Sequence, residues 1–307
     1  MEKVIVVIGP TSVGKTKMGV ALAKKFNGEV ISGDSMQIYK QMDIGTAKVT
    51  EEEKEGIIHH CVDILNPDET YSVHDFQQTV RKKITEIAQR GHVPIIVGGT
   101  GLYIKAALYD YQFDEMENDH HAINEKYKDY TNEQLHDHLK SIDEESAKIL
   151  HFNNRRRVLR AIEIYETTGK RKSEMLEEQE HICLYDAYFV GLTLPRDVLY
   201  ERINKRVDVM MENGLKEEME RLYSQGLTRN HQSMKAIGYK EWFDYYDHQI
   251  DLNDVLELIK KHSRQYAKRQ YTWFKNQFAV HWYDVNLENF EQTIEQVTDD
   301  IEKILKV

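Results

Sequence analysis

The passage from Lys3 to Phe26 constrains the fold more than any other part of the chain. Lys3–Ile8 (KVIVVI) is apolar at five successive positions, the pattern of a strand buried on both faces, which parallel sheets covered by helices provide. It runs into Gly9-Pro10-Thr11-Ser12-Val13-Gly14-Lys15-Thr16, a match to GxxxxGK[ST], and Lys15–Phe26 follows with Met18, Leu22 and Phe26 at helical spacing. In that setting successive backbone N–H groups face an anion at the positive end of a helix. Lys15 adds a point charge, and the Thr16 hydroxyl can ligate Mg²⁺. The strand before and the helix after separate a phosphate-binding loop from an ordinary glycine turn.

The rest of the chain extends this unit. Glu29–Ile31 reads as the core of a second strand closing on Ser32-Gly33-Asp34, and Val73–Gln89 as a helix with Ser72 as N-cap and Gly91 just past its end. Val93–Val97 is a third buried strand, cut off by Gly98-Gly99. From about 115 to 180 only polar amphipathic helices are legible, among them Asn154–Thr168 ending at Gly169. Strand character returns at Asp186–Leu194, and Pro195 opens a helix; further helices are expected at 196–212, 214–225 and 251–272, then a short strand Val280–Trp282 and a last helix. The expected fold is α/β: a P-loop NTPase-like parallel sheet flanked by helices, with an all-helical insertion domain. Residues 1–114 and 185–307 are expected to form the core, and 115–184 the insertion.

Composition narrows the setting. The chain has 307 residues, room for about two domains. Cys61 and Cys183 are the only cysteines, which argues against a disulfide framework or a Cys-rich zinc site and suits a reducing cytoplasm. Val4–Ile8 is too short for a membrane span or a signal-peptide core. The formal net charge of −11 makes non-specific adhesion to nucleic acid unexpected. Two segments run against it: 153–172, with seven Lys/Arg against Glu163 and Glu166, and 258–275, with six Lys/Arg, no acid and interleaved aromatics. An isolated charge run is usually a solvated helix face. In so acidic a chain, and with aromatics interleaved in the second run, concentration of charge for a purpose is the more credible reading.

Asp34 is the one acid at a strand end, where open α/β sheets bind ligands. It reads either as a local cap or as a group facing the loop. Gly98-Gly99-Thr100-Gly101 offers backbone donors and a hydroxyl. His59, His60, Cys61 and Asp63 carry metal-like letters, but neighbours on a short extended segment cannot all face one ion, so a packed loop is expected. Asp119-His120-His121 and His136-Asp137-His138 read as exposed helix faces.

Beyond the loop, SGDSMQIY (32–39), DIGTAK (43–48), HHCVDI (59–64), VGGTGLY (97–103), NNRRRVLRAIEIYETTGK (153–170), YERINKRVDVMMENGL (200–215), KAIGYKE (235–241) and YAKRQYTWFK (266–275) follow in order. With this series the chain resembles the bacterial tRNA dimethylallyltransferases, or tRNA isopentenyltransferases, over nearly its whole length. Ser12-Val13 stands where that family often has Ala-Ser, and Phe152 where it often has Pro.

The resemblance implies transfer of a dimethylallyl group from dimethylallyl diphosphate to N6 of the adenosine just 3′ of the anticodon in tRNA, giving N6-isopentenyladenosine. It implies that the Gly9–Thr16 loop grips the diphosphate with Mg²⁺ on Thr16, that Arg206 joins the grip, and that Asp34 takes the N6 proton beside Thr11. Contacts to the tRNA anticodon stem-loop are implied for Asp34, Ser35, Met36, Gln37 and Thr100; for Arg156, Arg157, Val158, Leu159 and Arg160; and for Lys235, Lys240, Lys268 and Arg269. A cytoplasmic monomer with no membrane attachment is expected. Other readings are a P-loop small-molecule kinase using ATP, an isopentenyltransferase acting on free adenine nucleotides, and an RNA-binding module with a vestigial loop.

Overall fold

The structure, a computed structural model, describes residues 1–111, 120–177 and 181–305. Six strands, β1 (Lys3–Ile8), β2 (Gly28–Ser32), β3 (His59–His60), β4 (Val93–Gly98), β5 (Asp186–Thr193) and β6 (His281–Asp284), form one sheet in the order β3-β2-β4-β1-β5-β6. Every pairing is parallel. β1 lies between β4 and β5, with Ile5 opposite both Ile95 and Tyr188. The period of two along a strand divides the core. Val4, Val6 and Ile8 join Ile96, Phe76, Val80 and Ile84 on one face, whereas Ile5 and Val7 join Ile95, Met18, Leu22 and Val297 on the other. Helices Val73–Gln89 and Lys15–Lys25 thus cover opposite faces of the same strands.

The end signals read from sequence hold where they are local. Ser72 caps Val73–Gln89 through a reciprocal box with Asp75. Gly169 ends Arg155–Thr168 in the left-handed region, at φ 72°. Pro195 stands at the N-cap of Arg196–Glu212. The segment at His59 differs from expectation: instead of a loop it supplies the two-residue edge strand β3, with His60 Nε2 2.6 Å from the buried Glu29 carboxylate and Asp63 accepting from Lys48. Glu29 also receives Arg90 and His92, which together hold its carboxyl well below the usual range, at about 2, against the opposing effect of burial. The Gly99–Gly101 turn leads directly into a helix, Gly101–Leu108, that sequence reading did not anticipate.

The chain divides into two compact units, Met1–Tyr109 with Cys183–Val307, and Asp110–Ile182. The boundary expected at 114/115 lies outside the described residues, as does Asp119; the second unit closes two residues before the expected 184. Within that unit, helices Asn132–Ile142 and Arg155–Thr168 pack Leu135, Leu139, Val158, Leu159 and Ile162 into a small core. His136 and His138 are not free surface histidines. His136 Nε2 reaches Ala147 O and Leu150 O, and His138 meets the Tyr127 hydroxyl at 3.0 Å.

Candidate active site

The loop after β1 owes its shape to residues far from it in sequence. Gly9 has φ 147°, and a Cβ there would stand 2.6 Å from Leu192 O, so only glycine lets the chain leave β1 against β5. Ser12 takes a left-handed φ of 66°, which costs a non-glycine residue roughly 1–2 kcal/mol. Its carbonyl accepts from Arg202 Nε at 3.0 Å, and the preceding Thr11 N–H donates to Gln270 Oε1 at 2.9 Å. Lys15 Nζ folds back onto the carbonyls of Gly9 and Pro10, at 3.0 and 2.7 Å. The Ser12 hydroxyl oxygen is buried with no hydrogen-bond partner among the described residues. An orphaned polar atom in this loop suits a phosphate oxygen.

Charge crowds the same space. Arg206 Nη1 donates to the Thr11 hydroxyl at 3.2 Å. Burial, and then the nearby Arg206, draw the Lys15 ammonium down to about 7, with Asp34 opposing. Arg206 is itself lowered, by burial first, against the pull of Glu53 and Asp34. Two cations short of counter-charge favour a bound polyanion.

Asp34 does both of the things the sequence left open. Its Oδ1 accepts from Met36 N at 2.8 Å and Gln37 N at 3.3 Å, so the carboxylate organises its own turn. Asp34 also lines two adjoining cavities. One, about 590 Å³, is lined by Gly14, Lys15, Thr16, Arg202, Arg206 and Gln270, with Asp34 and Glu53 its only acids among the described residues. The other, about 340 Å³, is apolar at Met36, Ile203, Val207, Met210, Ile237 and Ile259, and reaches Lys235, Lys240 and Arg269, all exposed. Thr11, Ser12, Asp34, Arg206 and Tyr266 belong to both linings. A cationic chamber therefore meets an apolar one at a carboxylate.

The remaining expected residues separate into those that line these chambers and those that brace them. Thr100 accepts from Ser35 N at 3.1 Å, joining the ends of β2 and β4. Gln37 is engaged internally: its side chain receives Ser32 Oγ and donates to the carbonyls of Thr46 and Ala47. Ser35 and Met36 line the apolar chamber. Gly99 and Gly101 serve mainly as clearance, since a Cβ would stand 2.2 Å from Gln270 Nε2 or from the Trp273 ring. That space lets helix Leu252–Gln277 lie against the turn that follows β4. Lys268 and Arg269 are on the exposed side of this helix.

The insertion requires a correction. Val158 is fully buried and Leu159 only 6% exposed, so neither side chain is available to a nucleic acid; helical periodicity aims them at the insertion core. Arg156 and Arg157 are exposed, whereas Arg160 is half-buried and paired with Glu163 at 2.8 Å. Arg155 holds its own unit together by donating to Tyr130 O and Tyr127 O.

Sequence reading missed Glu218, and it took in Tyr266 and Gln270 only as part of the basic 258–275 run, with no role for either side chain. Tyr266 lines both chambers, and burial, then Asp34, raise its phenol to about 12, so it stays a donor and reaches Gly99 O at 3.3 Å. Glu218, 2% exposed, accepts from the N–H groups of Asp43, Ile44 and Gly45 and from the Tyr239 hydroxyl. It thereby ties the DIGTAK wall to the KAIGYK wall. One signal was available: Tyr266, Gln270 and Phe274 recur every four residues, which sets a polar Gln on an otherwise inward stripe of the basic helix.

Known proteins share this arrangement. A family model described as IPP transferase matches residues 37–277. A Bacillus cereus protein named tRNA dimethylallyltransferase is 54% identical over 287 residues, covering 92% of this chain and 90% of the relative. The crystal structure of a Staphylococcus epidermidis tRNA isopentenylpyrophosphate transferase matches at 47% identity and TM-score 0.74, covering 99% of both chains. A eukaryotic dimethylallyltransferase caught acting on tRNA matches at 33% identity and TM-score 0.85, covering 99% of this chain and 79% of that one. With a family model matched over most of its length and relatives this similar, the chain belongs to the IPP transferase family.

Proposed function

We propose that this chain is a tRNA dimethylallyltransferase: it transfers the dimethylallyl group of dimethylallyl diphosphate to N6 of the adenosine 3′ of the anticodon in tRNA. The observation that carries the reading is Asp34 in the lining shared by a cationic chamber and an apolar chamber. The diphosphate fits beside Lys15, Arg206 and the Ser12 hydroxyl. The adenine must leave the anticodon stack to react, and it fits the chamber that opens at Lys235, Lys240 and Arg269. As N6 bonds to the allylic carbon, the C–O bond breaks and its electron pair stays on the diphosphate. Lys15 and Arg206 stabilise that charge. Asp34 receives the proton that N6 sheds.

Mg²⁺ fits this donor set. Among the described residues no group of three His, Cys, Asp or Glu could hold a metal, while Thr16 lines the phosphate chamber. An ion held by one hydroxyl and the substrate's own phosphates matches the habit of Mg²⁺, which would neutralise charge on the departing diphosphate. Arg156, Arg157, Lys268 and Arg269 supply exposed charge for the anticodon stem-loop. The test is direct: incubate the protein with labelled dimethylallyl diphosphate, Mg²⁺, and tRNA, AMP or ATP in turn. Label in tRNA alone supports the proposal. Label in AMP or ATP identifies a free-nucleotide enzyme, and ATP-dependent phosphorylation of a small alcohol identifies a kinase.

A further inference from the structure

Gln270 is buried, 5% exposed, and uses both ends of its carboxamide. Oε1 accepts from the Thr11 N–H at 2.9 Å, and Nε2 donates to Gly99 O at 2.9 Å. A carboxamide can accept at its oxygen and donate at its nitrogen at the same time without depending on pH. Gly99 is fitted to it, since a Cβ there would stand 2.2 Å from Nε2. Through this bridge the Thr11 N–H is committed to helix Leu252–Gln277, while the Thr11 hydroxyl is held beside Arg206 in the lining common to both chambers. Lys268 and Arg269, its neighbours in sequence, are exposed.

From this geometry we infer that Gln270 is a positioning residue for the transfer reaction: its two hydrogen bonds fix the Thr11 end of the phosphate loop where the diphosphate must lie. The inference rests on the transfer activity proposed above. It requires hydrogen bonding and not merely a filled space, and two substitutions separate these. Gln270→Met keeps length and burial but cannot donate to Gly99 and offers the Thr11 N–H only a weakly accepting sulfur. Gln270→Glu still accepts, and it can donate only when its introduced carboxyl is protonated.

The experiment uses the full chain, dimethylallyl diphosphate with Mg²⁺, and a tRNA anticodon stem-loop. Gln270→Met should raise the KM for dimethylallyl diphosphate about tenfold or more and lower kcat, because a misplacement near 1 Å can cost 10²-fold. The Kd for the stem-loop should stay within about twofold. Gln270→Glu should be impaired at about pH 8 and recover toward wild type near pH 6, as a buried carboxyl regains its proton. A Gln270→Met enzyme with wild-type KM and kcat overturns the inference. If that variant does not fold, a Gln270→Glu to wild-type rate ratio that stays flat across the same pH range overturns it instead. Failure of the wild-type protein to label any stem-loop would sink the transfer reading itself, before any variant is compared.

Discussion

Arg206 donates to the Thr11 hydroxyl at 3.2 Å, so helix Arg196–Glu212 brings a second cation onto the phosphate loop that already holds Lys15. The two cations are close enough for Arg206 to help depress Lys15. Asp34 and Glu53 oppose this crowding from the same lining, and a bound anion would add further counter-charge.

The first prediction follows from that depression. With Lys15 near 7 in the free protein, part of the population is neutral at physiological pH. A bound diphosphate favours the charged form and raises the value again, so binding takes up a proton. Affinity carried by Lys15 is complete below about 7 and falls as pH rises above it. Calorimetry of diphosphate binding in buffers of different ionisation enthalpy should show proton uptake that Lys15→Arg, a cation that does not titrate, reduces. Lys15→Ala should slow transfer by about 10²–10³-fold with tRNA binding nearly unchanged, as for loss of one charge-stabilising donor.

Glu218 gives a second, structural prediction. Its buried carboxylate is the shared acceptor for three backbone N–H groups and the Tyr239 hydroxyl. Glu218→Ala leaves all four donors without it and should cost about 2–5 kcal/mol of stability. Glu218→Gln keeps one acceptor oxygen and should cost less. Denaturant unfolding of both variants measures the difference; equal, small losses would show that the two walls do not depend on this carboxylate.

The basic helix of the insertion supports a third. Arg156 is exposed, whereas Arg155 is committed to Tyr130 O and Tyr127 O. Arg156→Ala should therefore lower tRNA affinity and reduce the slope of log affinity against log salt by about one contact's worth, near 0.7–0.9, with stability unchanged. Arg155→Ala should instead destabilise the insertion by about 1–3 kcal/mol. If the salt slope of Arg156→Ala matches wild type, that face is merely solvated.

What the sequence conveyed and what it withheld divide along the range of the interactions. β1, the loop and the helix at Lys15 are contiguous, so periodicity and glycine placement reveal them. Likewise the Ser72 box and the Gly169 stop depend on residues within one turn. Gln270 reaches Thr11 across 259 positions, and Glu218 reaches Asp43 across 175. No local pattern encodes either contact. β3 was missed because two residues cannot show a period, and its pairing with Val30 and Ile31 exists only once the sheet forms. The contiguous motif at 156–160 spans both faces of its helix, and only the folded unit separates them; Val158 and Leu159 are buried, whereas Arg156 and Arg157 are exposed.

Asp34 is the central claim, and single-turnover transfer to a tRNA anticodon stem-loop tests it most directly. Asp34→Asn keeps the shape and an acceptor oxygen for the Met36 and Gln37 N–H groups, so the turn should survive. It removes the group that accepts the N6 proton. The single-turnover rate should fall by about 10²–10⁴-fold, the range for a positioned general base, with stem-loop affinity changed by no more than about 1 kcal/mol. A variant that transfers at the wild-type single-turnover rate would remove Asp34 from the chemistry and leave the shared lining of the two chambers without a role.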